Sequence, residues 1–161
     1  MKVTSNELNK MIRNLEDEKS SLQSEEQLNS TFRAAVGEDV EDLRPDYNFA
    51  EIEAKFIDID NKIMSYKHAL NMFNISTEIC GLTIDQVLIK MPQITRRLRI
   101  LDAMRRENKK KRASITGNVI DYSYTSYDPE EAEKEYQRLN MLLNKYQVEL
   151  DKINTTITFE I

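Results

Sequence analysis

Only three glycines, three prolines and one cysteine occur among the 161 residues. So few chain-breaking residues argue against a turn-rich β protein, and the 32% of charged residues is the balance expected of long solvated helices. Cys80 has no second thiol in the chain, which excludes an intramolecular disulfide and a dithiol redox motif, and a zinc site needs about four ligands that the sequence around it does not offer. No apolar run approaches the roughly 20 residues that span a bilayer, the best local one being Met141-Leu142-Leu143. The stretch Met1-Lys2-Val3-Thr4-Ser5-Asn6-Glu7 lacks the apolar segment of a secretory signal, so a cytoplasmic location with no membrane partner is expected. Also missing are a Gly-rich phosphate loop, a Walker motif and a GxSxG elbow. His68 is the only histidine, and the residue three before it is Ser65, so the Glu-x-x-His motif of bundle metal centres is absent too. The expectation is a non-enzyme with no catalytic residue, no cofactor and no metal.

What is present begins with segregated charge. The net charge is −5, yet residues 90–112 hold ten Lys or Arg against only Asp102 and Glu107, a local +8 that leaves −13 for the remainder. A run of this kind has two readings: phosphate contact in a nucleic acid, or pairing with the protein's own acids.

Apolar spacing then sets the architecture. Phe49, Ile52, Phe56, Ile59, Ile63, Tyr66, Leu70 and Phe73 recur at intervals of 3 and 4, as do Ala132, Tyr136, Leu139, Leu143, Tyr146, Leu150 and Ile153. Both are unbroken a/d heptads, each placing an apolar seam along a rod that a second rod must cover. The fold class expected is mainly α, a long antiparallel helical bundle or coiled coil with a small two-strand β element. A single domain over 1–161 is organised as an N-terminal helix (5–34), an acidic linker (35–48), a heptad helix (49–75), a Pro-interrupted basic helical region (83–112), a strand (115–127), a heptad helix (129–153) and a strand (155–161). Thr83 with Gln86 reads as a capping box, Pro92 as a kink or a new helix start, and Asp128-Pro129-Glu130-Glu131 as a helix start. Gly117-Asn118 fits a tight turn before the strand. The two heptad helices are expected to pack on each other, and the two strands to run parallel through a right-handed crossover. Two strands alone are marginal and their edges invite pairing, so a strand from a neighbouring copy, hence a homo-oligomer, is expected.

Five blocks carry a resemblance: Tyr47-Asn48-Phe49, Lys67-His68-Ala69-Leu70-Asn71-Met72-Phe73-Asn74, Leu82-Thr83-Ile84-Asp85-Gln86, Ile120-Asp121-Tyr122-Ser123-Tyr124 and Thr156-Ile157-Thr158-Phe159-Glu160-Ile161. In order and spacing they resemble a family of small uncharacterised bacterial proteins, over about residues 47–161. That resemblance implies the helical fold and a bacterial or phage origin, and carries over no site. The run 105–112 is more basic than the family pattern.

Two sets of candidate contacts follow. Interface candidates are His68, at a heptad f position, with Asn71 and Asn74 on nearby turns, and Ile157, Phe159 and Ile161 on the terminal strand. Candidates for nucleic acid or an acidic protein partner are Arg96, Arg97, Arg105, Arg106, Lys109, Lys110, Lys111 and Arg112, with Tyr122, Tyr124 and Tyr127 available to stack on bases. Since tyrosine at period two is ordinary strand chemistry, an oligomerising interaction module is the first reading and nucleic-acid binding the alternative.

Overall fold

The computed structural model describes residues 1–113 and 120–161, which are mainly α with a minor β component. Among these residues the elements run β1 (Lys2–Thr4), α1 (Ser5–Asn29), α2 (Phe49–Ser76), β2 (Glu78–Ile79), β3 (Leu82–Thr83), α3 (Ile84–Arg105), β4 (Lys110–Arg112), β5 (Tyr122–Tyr124), α4 (Pro129–Thr156) and β6 (Thr158–Glu160). Two compact units divide the chain: residues 1–73 with 154–161, and residues 74–153.

In the first unit α1 starts at a capping box. Thr4 Oγ1 accepts from the Glu7 amide at 3.2 Å, and the Glu7 carboxylate accepts from the Thr4 amide at 2.8 Å. Each bond satisfies an amide that the first helical turn leaves without a partner. Asn48 Oδ1 serves α2 in the same way, accepting from the Ala50 amide at 3.1 Å. The seam of α2 then meets α1: buried Ile52 and Ile59 pack with Leu22, flanked by Leu15, Phe56 and Ile63. Nearer the chain ends Tyr66 and Leu70 pack against Leu8, Ile12 and Val3. Ion pairs Lys19–Asp60 and Lys67–Glu16 lace the two helices together in an antiparallel sense. Within the first unit the helix that covers the α2 seam is α1, its neighbour through a single connector. Phe49 stands 63% exposed, so the covered seam opens at Ile52.

The terminal strand is corrected. β6 pairs antiparallel with β1, Val3 facing Phe159, where a parallel pairing with residues 115–127 or with another copy was expected. Three residues are too few for alternation to announce β1 in the sequence. Phe159 stacks on Phe73 at 4.3 Å, and Ile161 packs on the same cluster, so both are held half-buried against the core of this unit.

The second unit opens with a minimal hairpin. β2 and β3 are joined by Cys80-Gly81, both at positive φ (52° and 80°), the combination that a two-residue type I′ turn requires. Thr83 and Gln86 close the expected capping box of α3, with bonds of 3.2 and 3.0 Å. α3 continues through Pro92, which forfeits a single amide bond of the ladder on an exposed face, and Ile84, Val87, Ile94, Leu98 and Leu101 stay buried along the other face. Asp128 starts α4, its carboxylate accepting from the Glu130 amide at 3.0 Å. Of the α4 seam, Ala132, Leu139 and Tyr146 are buried. Its neighbour is α3: Arg105 reaches Glu133 and the Tyr136 ring, and Lys90 lies 6.0 Å from the Tyr146 ring centroid.

The expected basic helix to residue 112 ends early. α3 stops at Arg105, and Lys110–Arg112 forms β4, antiparallel to β5. The strand expected over 115–127 is β5 alone among the described residues, and Gly117-Asn118 lies outside them.

Candidate nucleic-acid interface

The register of the β4–β5 ribbon decides which side chains share a face. Lys110 lies opposite Tyr124, Lys111 opposite Ser123 and Arg112 opposite Tyr122. Because side chains alternate along a strand and cross-strand partners share a side, Lys110, Arg112, Tyr122 and Tyr124 stand together while Lys111 and Ser123 occupy the reverse. The Lys110 ammonium sits 4.1 Å from the Tyr122 ring centroid and 5.6 Å from that of Tyr124, within cation–π reach of both. Tyr122 is 48% and Tyr124 63% exposed, so the rings are presented to solvent.

The ribbon is anchored at its base. The Ala113 amide donates to the Asp121 carbonyl at 2.8 Å and the Thr125 amide to the Lys109 carbonyl at 3.2 Å, extending the ladder past both strands. Tyr127 turns away from the ribbon face, its hydroxyl donating to the Met104 carbonyl at 3.1 Å. That bond ties the end of β5 to the end of α3.

The remaining cations sort into two kinds. Arg105 and Arg106 both pair with Asp102, Arg105 also with Glu133, Lys109 with Asp128 and Lys111 with Glu107. Contact with these carboxylates raises the Arg105 guanidinium and the Lys109 ammonium above their ordinary pKa ranges, Arg105 chiefly through Glu133 and Lys109 through Asp128. Arg97 lines a groove with Glu131 and Glu135. Arg96, Lys110 and Arg112 form no ion pair among the described residues, and all three are exposed. Half of the eight candidate cations thus answer to the protein's own acids, and the two left on the ribbon are those beside its tyrosines. The hollow next to the ribbon, lined by Lys109, Thr125, Ser126, Tyr127, Asp128 and Glu131, sets two carboxylates against one ammonium. Its field disfavours an anion, which leaves the ribbon face as the place for one.

Neither a family model nor a curated protein matches the chain. The fold has a solved likeness. It is similar to the crystal structure of a functionally unknown conserved protein from Corynebacterium diphtheriae, with 14% identity, a TM-score of 0.62, and coverage of 99% of this chain and 100% of that one. At that identity the likeness establishes the fold alone. A conserved bacterial protein of unknown function shares the architecture, and no residue here takes a role from it.

The interface candidates separate. His68 and Asn71 are exposed on α2, Asn74 is half-buried in its last turn, and Ile157 is exposed between α4 and β6. Phe159 and Ile161 are half-buried against the core of the first unit. Among the described residues no helix is long and apolar enough to cross a membrane, and no three His, Cys, Asp or Glu gather as metal ligands would.

Proposed function

We propose that this chain is a non-enzymatic, cytoplasmic interaction module whose β4–β5 ribbon binds single-stranded nucleic acid. One observation carries the reading: two unpaired cations and two exposed tyrosines share one face of the ribbon. Tyrosine rings at that spacing offer consecutive bases a stacking surface, worth about 1–3 kcal/mol per base, while Lys110 and Arg112 meet the phosphates. Lys109 and Lys111, bridged but more than half exposed, can exchange a carboxylate for a phosphate at little cost.

Fluorescence anisotropy with a labelled oligothymidylate at low salt tests this. Binding should weaken with salt at a slope of about −0.7 per phosphate contacted, and Lys110→Ala with Arg112→Ala should flatten that slope by about 1.4. Tyr122→Ala and Tyr124→Ala should each weaken binding about 5- to 150-fold with the slope kept. Absence of any binding at low salt removes the reading.

A second reading, homo-oligomerisation, keeps one support. Strand exchange no longer motivates it, since β6 is paired with β1. What favours it is the exposure of Ile57 and Met64 on α2, away from the seam that α1 covers.

A further inference from the structure

Helix α2 carries a second heptad that the first conceals. With Ile63 and Leu70 at a, the b and f positions read Ala50, Ala54, Ile57, Asn61, Met64, His68 and Asn71, at intervals of 4, 3, 4, 3, 4 and 3. All seven are exposed and none is an acid, a lysine or an arginine. In a helix packed on one side only, the positions opposite the seam are where charge belongs. Here the charges stand on the flanks: Glu51, Glu53, Lys55, Asp58, Asp60, Lys62 and Lys67 lie between the two stripes. The outer stripe therefore has the layout of a seam itself, about 30 Å long at 1.5 Å per residue, with Ile57 at 54% and Met64 at 66% exposure near its middle.

We infer that this stripe is covered by the same stripe of a second copy, running antiparallel. The inference rests on the homo-oligomer reading and narrows it to one face and one orientation. Charge selects the orientation. Directly beside the first half of the stripe stand Glu51, Glu53, Asp58 and Asp60, of which Asp58 is bridged by Lys62 from the next position round the helix, and beside the second half stand Lys67 with uncharged Ser65 and Met72. Parallel copies would set Glu53 of each against Asp58 of the other and leave Asp60 and Lys67 facing uncharged Ser65 and Met72, so they meet like charge and form no opposite pair. Antiparallel copies centred between Asn61 and Met64 bring Asp60 of each beside Lys67 of the other, twice by symmetry. Both groups are about half exposed even while bridged to Lys19 and Glu16 within the chain, so the ionic network can extend across the dimer. Size agrees with charge: the facing layers become Asn61 on Met64, Ile57 on His68, and Ala54 on Asn71, so the smallest residue of these layers faces a larger one. A polar Asn61 in each central layer fixes register at some expense of affinity, the role that buried asparagine has in coiled-coil seams.

Cysteine pairing in a Cys80→Ser background tests surface and orientation together. The double variant Ala54→Cys, Asn71→Cys should form an interchain disulfide under mild oxidation. Neither single variant should, because equivalent residues of antiparallel copies lie about 25 Å apart along the axis and a disulfide spans less than about 7 Å between Cα atoms. In light scattering, Met64→Glu should reduce the dimer to a monomer across the micromolar range, with an unchanged far-ultraviolet spectrum and unchanged binding of the oligothymidylate. A monomeric parent protein overturns both this inference and the homo-oligomer reading. A dimer that survives Met64→Glu, or single-cysteine variants that cross-link as readily as the double one, overturns the inference alone.

Discussion

Arg105 joins two carboxylates and an aromatic ring. Its guanidinium donates to Asp102 at 2.7 and 2.9 Å and to Glu133 at 2.8 Å, and lies over the Tyr136 ring at 4.1 Å. Both carboxyls are held below the ordinary range, Asp102 chiefly by its hydrogen bond from Arg105 and Glu133 chiefly by the same guanidinium. A carboxyl with a depressed folded-state pKa contributes stability that is present above its unfolded value, about 4, and is lost as pH falls through the folded value. The melting temperature should therefore decline on acidification from about pH 5 to about pH 3. Arg105→Met should lower it at neutral pH and make that acid decline shallower, though not flat, since Arg106 still faces Asp102. Thermal unfolding followed by circular dichroism at several pH values measures both, and an equally steep decline in the variant would refute the role given to Arg105. Only part of this was legible in the sequence. The spacing of Asp102 and Arg105 is a readable helical pair, whereas Glu133 and Tyr136 come from another helix and meet it only through packing. The same holds for the ribbon. Lys110 and Arg112 read as the end of a basic helix because lysine and arginine are good helix formers, and only the pairing with Tyr122 and Tyr124 makes them strand residues.

At the scale of elements, period and caps were readable and partners were not. The heptad of α2 located its buried face from Ile52 onward, Thr83 and Gln86 located the start of α3, and Asp128 and Pro129 that of α4. An apolar seam states that something covers it without stating what, and α1, whose own stripe thins after Leu22, is the helix found on it in the first unit. Two neighbouring isoleucines on α2 make the distinction measurable. Ile59 is 4% exposed within the α1 contact, while Ile57 is 54% exposed on the outer stripe. Ile59→Ala removes atoms from a packed site and should cost about 2–4 kcal/mol in urea unfolding. Ile57→Ala should change monomer stability by no more than about 0.5 kcal/mol, and act on self-association instead. Equal losses at the two positions would mean that both faces of α2 are packed within the chain.

Across the whole molecule, the first unit is completed by residues from opposite ends of the sequence. Val3 faces Phe159 in the β1–β6 pair, the Met1 ammonium donates to the Ile161 carbonyl at 3.1 Å, and the Ile161 amide donates to the Met1 carbonyl at 3.0 Å. The ring of Phe159 lies on Phe73 and reaches the cluster of Val3, Leu8 and Ile12. Contacts within the α1–α2 hairpin span tens of residues, but these span almost the full chain, and their loop-closure entropy is met only when everything between has been ordered. Interactions of that kind form late and stabilise the native state without stabilising the transition state. Phe159 is half-buried, so Phe159→Ala should cost about 2 kcal/mol, below the loss typical of a fully buried ring. In stopped-flow unfolding and refolding that loss should fall on the unfolding limb, speeding unfolding about 30-fold and leaving the refolding rate nearly unchanged. A slowed refolding limb would place the pairing of the two chain ends early in folding, and the long-range strand contact would then belong to the nucleus.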